Sequence, residues 1–233
     1  MFLWEIRYMK KKTIAVLLVC TLFLVMTAGA SAPSDAEEED IFGTAIGEIE
    51  EDTYVNEYFG LGFDLPEEWQ FFTEEELAEM MDITLKVIDD EELKDLMKNS
   101  MESGNGVTNM AAKNSAGTLN INMRLTKYEN DVLKTLSEES ILDMLSAPVK
   151  EMLESAGYKD LELEIREIEF AGEKKQALFI NGKFYNLPMY QAELLLLGEE
   201  YYAVVTFTSV LEDRLEEQFE CWHALEEPAE KAA

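Results

Sequence analysis

Cys221 and His223 are the two side chains in this 233-residue sequence whose types and spacing first suggest chemistry. A thiol beside an imidazole is the arrangement that activates a cysteine nucleophile, and His223 is the only histidine in the chain. However, apolar residues at helical spacing over residues 211–222 predict an amphipathic helix. On a helix, positions two apart point roughly 200° away from each other. We therefore predict a structural or surface role for both side chains, which would meet only if the segment were a strand.

Carboxylates are the second group of chemically capable residues, because the chain has 49 Asp and Glu. Paired carboxylates hydrolyse glycosidic bonds, but with this many acids close pairs are expected by chance and identify no site. The sequence lacks the motifs of a serine nucleophile, a phosphate-binding loop and a dinucleotide site. We predict no catalytic residue and no cofactor. An extracytoplasmic hydrolase that uses paired carboxylates is the alternative.

Carboxylates can also act as metal ligands. A zinc site built from Cys and His needs more of these residues than the chain offers. Calcium prefers oxygen ligands, but no Asp-x-Asp-x-Asp-Gly loop occurs, and the acids at 89–92 are explained as a helix start that opposes the helix dipole. We predict no metal-binding residue, and a calcium-binding exported protein is a further alternative.

Aromatic residues crowd the segment 54–72, and Tyr and Trp are enriched at protein interfaces. Tyr54, Tyr58 and Trp69 are our candidate interaction surface. The core between a sheet and a helix would use the same residues, and we favour that interpretation. The exposed fractions of the three side chains distinguish the two hypotheses.

The N-terminal residues have the three-part pattern of a secretory signal peptide. Lys10, Lys11 and Lys12 precede an apolar run over 14–25, and small residues follow at 28–32. The run is shorter than the roughly twenty residues of a membrane-spanning helix, so we predict a cleaved signal over residues 1–30 and no stable membrane span afterwards. Cleavage after Ala32 and retention of the signal stay open. The predicted location is secreted or extracytoplasmic, in the cell envelope.

The net negative charge of the chain limits the classes of molecule that it can bind. Removal of residues 1–30 takes away four basic side chains and one acidic one, which changes the formal charge from −30 to −33. Such a field repels phosphates, so nucleic-acid binding is excluded. We expect the charge to keep the protein soluble and monomeric. The alternative is that it attracts a specific cationic partner, which would be an unknown protein or envelope component. Only Cys221 follows the signal, so no disulfide within the mature chain is possible.

Composition divides the remainder into three parts. Residues 31–52 are acidic and poor in large apolar side chains, which predicts a disordered spacer. Residues 53–225 can form one core and are predicted to be a single α+β domain, and residues 226–233 are a polar tail.

Helix signals are clear at three places. Thr73 and Glu76 form a capping box, with Phe72 and Leu77 placed for a hydrophobic staple. A second helix is predicted from Asp89 to a stop near 104. A third is predicted over residues 137–156, ending at Gly157, with a break or kink at Pro148.

Strand signals fill most of the rest. Leu119 to Leu125 alternate as a half-buried strand with Asn120, Asn122 and Arg124 on its polar face. Later strands are predicted over 161–170, 176–180, 189–197 and 201–208, with turns at 172, 181–182 and 198. A change of apolar phase after Ile165 predicts a bulge near Arg166 and Glu167. Because helices and strands come in blocks, we predict an antiparallel sheet with helices against its faces.

The segment 58–69, Tyr-Phe-Gly-Leu-Gly-Phe-Asp-Leu-Pro-Glu-Glu-Trp, together with the order of elements, resembles the PsbP/Mog-type fold and its small exported bacterial members. This resemblance implies an α/β/α sandwich around an antiparallel sheet, spanning roughly residues 53–225. It also implies relatives that dock to larger assemblies instead of catalysing reactions. Plant PsbP proteins assist photosystem II and Mog-type factors bind a small GTPase. Neither function is carried over, because an export signal is incompatible with a cytosolic GTPase partner and nothing in this sequence indicates photosynthesis.

From these observations we predict a non-catalytic extracytoplasmic binding or accessory module whose ligand the sequence does not identify.

Overall fold

The computed structural model describes residues 42–79, 91, 95, 106–128 and 130–225. The predicted signal peptide, most of the predicted spacer, nearly all of the second predicted helix and the polar tail lie outside these residues. The first predicted helix is described only over 74–79. There the capping box is confirmed, because the Thr73 and Glu76 backbone N–H groups each donate to the other's side chain at 3.2 Å. Phe72 and Leu77 pack together, as the staple requires.

Strands dominate the described residues and form two antiparallel sheets. The small sheet has the order β1-β2-β3-β11 and consists of β1 (Glu48–Glu50), β2 (Thr53–Asn56), β3 (Leu61–Asp64) and β11 (Trp222–Ala224). The large sheet has the order β4-β5-β6-β10-β9-β8-β7. Its strands are β4 (Trp69–Phe71), β5 (Gly106–Asn114), β6 (Leu119–Lys127), β7 (Lys159–Phe170), β8 (Glu173–Phe184), β9 (Leu187–Leu197) and β10 (Tyr201–Val210).

Besides the helical residues 74–79, 91 and 95, the described part of the chain contains two helices: α1 (Glu138–Ser155) and the short α2 (Leu215–Phe219). Ser137 caps α1, its hydroxyl accepting from the Ser140 N–H at 3.2 Å, and the helix ends before Gly157, as predicted. α1 continues through Pro148, so the predicted break is absent. Single turns of 3-10 helix lie at Gly43–Ala45 and Leu133–Thr135.

The large sheet separates two hydrophobic cores. On β10, Tyr202 and Val204 belong to the core beneath α1, whereas Val205 and Phe207 belong to the other. Because successive side chains of a strand point to opposite faces, the two cores lie on opposite sides of the sheet. The second core contains side chains of the small sheet and of α2, among them Tyr54, Phe63, Trp222, Leu215 and Phe219.

The predicted α/β/α sandwich is therefore wrong: over the described residues the fold is dominated by sheets, and a second sheet covers the face opposite α1. The predicted helix over 211–222 is one source of the error. Only Leu215–Phe219 are helical, and Trp222–Ala224 form a strand that pairs with β3. That pairing joins residues about 160 positions apart in the sequence, and apolar spacing within one segment carries no information about it.

The domain also begins earlier than predicted. Residues 42–52 belong to the predicted spacer, yet they contain β1, and Phe42 and Ala45 are buried in the second core. Burial of Phe42 and Ala45 and the pairing of β1 with β2 are contacts that the acidic composition of this stretch does not reveal.

The predicted turn at Asn181 and Gly182 is wrong, because β8 runs on to Phe184. The chain turns at Tyr185 and Asn186, which both have positive φ (48° and 65°), as a two-residue hairpin requires. Gly182 serves a different purpose: a Cβ there would lie 2.7 Å from Leu161 Cδ2 on the neighbouring strand.

The predicted bulge near Arg166 and Glu167 is also wrong. β7 pairs with β8 without interruption from Glu162 to Phe170, and the irregularity lies between Lys159 and Glu162. The change of apolar phase has another cause. Ile165 faces the core under α1, whereas Ile168 and Phe170 face the opposite core, so β7 contributes to two cores at its two ends.

Candidate functional site

Tyr54, the first residue of the candidate interaction surface, is completely buried in the second core. Its hydroxyl accepts hydrogen bonds from Asn56 Nδ2 at 2.9 Å and Asn109 Nδ2 at 2.8 Å, and it donates to Met123 Sδ at 3.4 Å. Burial raises the pKa of the Tyr54 phenol above its usual value. Tyr54 is a core residue and contributes no exposed surface.

Tyr58 and Trp69 are half-buried. The Tyr58 hydroxyl accepts from the backbone N–H of Glu200 at 2.9 Å and of Tyr201 at 3.2 Å, and its ring packs edge-on against Tyr201 with 5.7 Å between centroids. Trp69 lies on β4 opposite Asn114 and packs against the second core. Both side chains therefore pack against other residues of the same domain.

Cys221 and His223 each have a structural partner. The Cys221 thiol donates to the Glu217 carbonyl at 3.3 Å, and burial, reinforced by nearby acids, raises its pKa to about 11. Such a thiol is protonated at neutral pH and is a poor nucleophile. His223 lies on β11 over Gly62, with its Nδ1 3.4 Å from Asp64 Oδ2. These contacts agree with the predicted structural or surface role.

A cleft of about 850 Å³ lies between the second half of β7 and α2. Its apolar residues come from both cleft walls and from β8 and β11: Ile168, Ala171, Phe179, Leu215, Phe219 and Trp222. Ile168 and Ala171 are half-buried, and the others are buried. The buried Trp222 indole N–H has no hydrogen-bond partner in the described structure. This cleft is the candidate functional site.

Acidic side chains surround the cleft. Six carboxylates line it: Glu167, Glu169, Asp213, Glu216, Glu217 and Glu220. Two arginines oppose them, and both are already engaged. Arg214 Nε donates to Glu217 Oε1 at 2.9 Å, and Arg166 Nε donates to Glu164 Oε2 at 2.7 Å while its guanidinium lies 4.7 Å from the Phe179 ring centroid. The hydrogen bond from Arg214 lowers the pKa of Glu217, so this acid stays ionised.

Local contacts hold α2 against β10. The Ser209 hydroxyl donates to the Glu212 carbonyl, and Gln218 Nε2 donates to the Thr208 carbonyl at 3.1 Å. Leu215 and Phe219 enter the second core between these anchors. The same turn of helix leaves Glu216, Glu217 and Glu220 exposed, so the packing of α2 presents its acids to solvent at the cleft.

A second polar cluster lies inside the protein and was missed by the sequence analysis. Polar residues on neighbouring strands β6, β10 and β9 are all buried: Asn120, Asn122, Arg124, Thr126, Thr206, Thr208, Gln191 and Glu193. The sequence pattern predicts that Asn120, Asn122 and Arg124 lie on the polar face of a half-buried strand. That prediction is wrong, because β6 is buried on both faces up to Thr126. The alternation of Gln191 and Glu193 in β9 places them on one face, and sequence alone would assign that face to solvent.

Glu193 is the most unusual member of this cluster. It is wholly buried opposite Thr206 and Leu178, and neither carboxyl oxygen has a hydrogen-bond partner in the described structure. Burial raises the pKa of Glu193 to about 8, which keeps the carboxyl mostly neutral at pH 7. Because the side chain has no exposed surface, Glu193 affects stability and cannot meet a substrate in this conformation.

No group of three or more His, Cys, Asp and Glu side chains in the described part of the chain is arranged to hold a metal ion. Among the described helices, none combines the length and the apolar character needed to cross a membrane.

No family model matches the chain, and no curated protein matches it. Among solved structures, the chain is similar to LpqN, a protein involved in cell envelope biogenesis of Mycobacterium tuberculosis, with 8% sequence identity and a TM-score of 0.37. The likeness covers 71% of this chain and 83% of LpqN. It does not show a relationship to the PsbP or Mog-type proteins, and at this TM-score it carries no argument about function.

Proposed function

We propose that this protein is a non-catalytic binding or accessory module of the cell envelope, and that the cleft between β7 and α2 binds a cationic segment of a partner protein. The observation that carries the proposal is the excess of carboxylates that line the cleft. The location outside the cytoplasm rests on the signal-peptide pattern of the first thirty residues.

Charge complementarity favours a cationic ligand. The two cleft arginines are bonded to Glu164 and Glu217, so they do not neutralise the other acids at the rim. The whole chain has a formal charge of −30, which adds a long-range attraction for a basic partner. Because these acids are exposed, we expect the attraction to weaken steeply as salt is added.

The apolar lining would contribute less. Only Ile168 and Ala171 are half-exposed, whereas Leu215, Phe219 and Trp222 are almost wholly covered. A ligand would therefore bury little new apolar area, and each Å² contributes only about 25 cal/mol. We expect moderate affinity in which association is accelerated by charge.

The test uses purified protein beginning at Ser31 and a fluorescein-labelled nine-residue peptide of alternating Lys and Val. The cleft variant carries Glu216→Lys and Glu220→Lys. The matched control carries Asp143→Lys and Glu151→Lys on the exposed side of α1, which makes the same change in net charge at another surface.

We expect the dissociation constant, measured by fluorescence anisotropy, to rise at least tenfold for the cleft variant and less than about twofold for the control. Equal effects would mean that the protein attracts the peptide by net charge alone, which would refute the cleft as the site. Turnover of a glycan or peptide that is lost on replacing a single acid would refute the non-catalytic role.

A further inference from the structure

Among the described residues, no strand pairs with the outer edge of β7, which lies beside the cleft. β7 is the terminal strand of the large sheet, twelve residues long, and among the described residues it pairs only with β8. The outer edge of such a strand presents backbone N–H and C=O groups that can pair with another chain. Arg166, Glu167, Ile168 and Glu169 of this strand also line the cleft, so edge and cleft are continuous.

The hairpin turn identifies which backbone groups point outward. Ala171 and Gly172 have φ of 50° and 80° and form a two-residue turn between β7 and β8. Phe170 and Glu173 then form a hydrogen-bonded pair, and such pairs alternate along antiparallel strands. Ile168 and Arg166 therefore bond to β8, whereas the backbone groups of Glu167 and Glu169 point away from it.

The charge of this edge restricts what can pair with it. Exposed acids follow one another along β7 at Glu162, Glu164, Glu167 and Glu169. Lys174 neutralises only Glu167 directly, with 2.5 Å between Nζ and Oε1, and Arg166 engages Glu164. Glu162 and Glu164 lie on one face of the strand and Glu167 and Glu169 on the other. A second copy of β7 would bring further acids to both faces of this edge, and like charges across a strand pair are destabilising. A basic strand would be stabilised.

We propose that the cationic partner binds as an extended strand that adds to the outer edge of β7. The backbone of the partner pairs with Glu167 and Glu169, and its basic side chains on one face lie toward the acidic cleft. This inference rests on the proposed function and specifies the form of the ligand: an unfolded or terminal segment with alternating basic residues. Strand addition gives affinity through main-chain bonds and specificity through alternate side chains.

The first test separates backbone pairing from charge. The Lys-Val peptide is compared with a version in which residues 2–8 are N-methylated, so that its charge is unchanged but its N–H donors are removed. We expect the methylated peptide to bind wild-type protein at least tenfold more weakly. Amide hydrogen exchange of Glu167 and Glu169 is expected to slow when the unmodified peptide is bound.

The second test changes the protein. Glu167→Pro removes an outward N–H without removing a bond to β8, and Glu167→Gln removes the same charge with the backbone intact. We expect at least a tenfold weaker affinity for the unmodified peptide with Pro and less than about threefold with Gln. If the Pro variant fails to fold, the methylated peptide still decides the question.

The possible outcomes distinguish this inference from the proposed function. Equal binding of the two peptides, or normal binding by a folded Glu167→Pro variant, would overturn strand addition. The cleft would then remain a cationic site if the Glu216 and Glu220 variant still lost affinity. If neither peptide binds, both the strand-addition inference and the proposed function would be overturned. Association of the protein with itself through this edge, detected by sedimentation and abolished by Glu167→Pro, would assign the edge to a second copy and overturn the proposed partner.

Discussion

Replacement of Glu193 by Gln is expected to stabilise the protein at neutral and alkaline pH. The carboxyl is wholly buried without a hydrogen-bond partner in the described structure, and its pKa is raised from 4.5 to about 8. As pH rises through this interval, the unfolded chain releases the proton while the folded protein retains it. The unfolded state therefore binds fewer protons, and the free energy of unfolding falls with pH. The favourable effect of the neutral carboxyl is complete below about pH 4.5 and lost by about pH 8.

The size of the effect follows from the two pKa values. Each pH unit between them costs about 1.4 kcal/mol of unfolding free energy. The cost relative to acidic pH is then roughly 3 kcal/mol at pH 7 and roughly 4 kcal/mol at pH 8, where the folded carboxyl is half ionised. Gln has nearly the same shape as Glu and cannot ionise, so it removes this pH dependence. Its own burial cost is independent of pH.

The assay is urea unfolding of wild type and Glu193→Gln at pH 5, 6, 7 and 8. We expect the difference in unfolding free energy to shift in favour of the variant by several kcal/mol across the series. Glu151→Gln, on the exposed side of α1, is the control and should follow wild type. Parallel pH dependence for wild type and Glu193→Gln would refute the argument that Glu193 folds as a buried neutral acid.

Three further predictions concern the core and the thiol. Tyr54→Phe removes the acceptor used by the Asn56 amide and should lower the free energy of unfolding in urea by about 1–3 kcal/mol; an unchanged midpoint would contradict the network. Gly182→Ala brings a Cβ within 2.7 Å of Leu161 Cδ2 and should destabilise by about 1–3 kcal/mol; because Leu161 is buried in the core, Leu161→Ala is itself destabilising, but it should cost less in the Gly182→Ala background than in wild type, and strictly additive costs would assign the effect to the backbone. The Cys221 pKa of about 11, against 9.0 for a free thiol, predicts alkylation by iodoacetamide at pH 8 roughly a hundredfold slower in the folded protein than in urea, and equal rates would refute that environment.

Signals that act within a few residues were recognised from sequence. The capping box at Thr73 depends on hydrogen bonds spanning three residues, and both of its hydrogen bonds are present in the structure. The end of α1 before Gly157 also agrees, because its positive φ of 97° suits glycine. The long strands were located for a similar reason, since alternation is visible along a single segment.

Features that depend on distant pairing were not predictable. Trp222 was assigned to a helix because its spacing from Phe219 is helical, whereas pairing with Phe63 makes it part of a strand. Asn181 and Gly182 form a typical turn sequence, but the approach of Leu161 explains the glycine. A dipeptide cannot show whether its glycine supplies a positive φ or space for another strand.

The candidate site also combines features that are visible in the sequence with features that depend on contacts between distant residues. The excess of acids and the export pattern are properties of composition and order, so the sequence alone was enough to raise the hypothesis of a cationic partner and to predict an extracytoplasmic compartment. It did not identify the cleft, because residues 166–172 and 213–222 meet only when β7 and α2 pack on one face of the sheet. Tertiary structure also decided that Glu193 is buried and that the outer edge of β7 lacks a partner among the described residues. The physical reason is that burial and edge position depend on what packs against a strand, which its own residues do not specify.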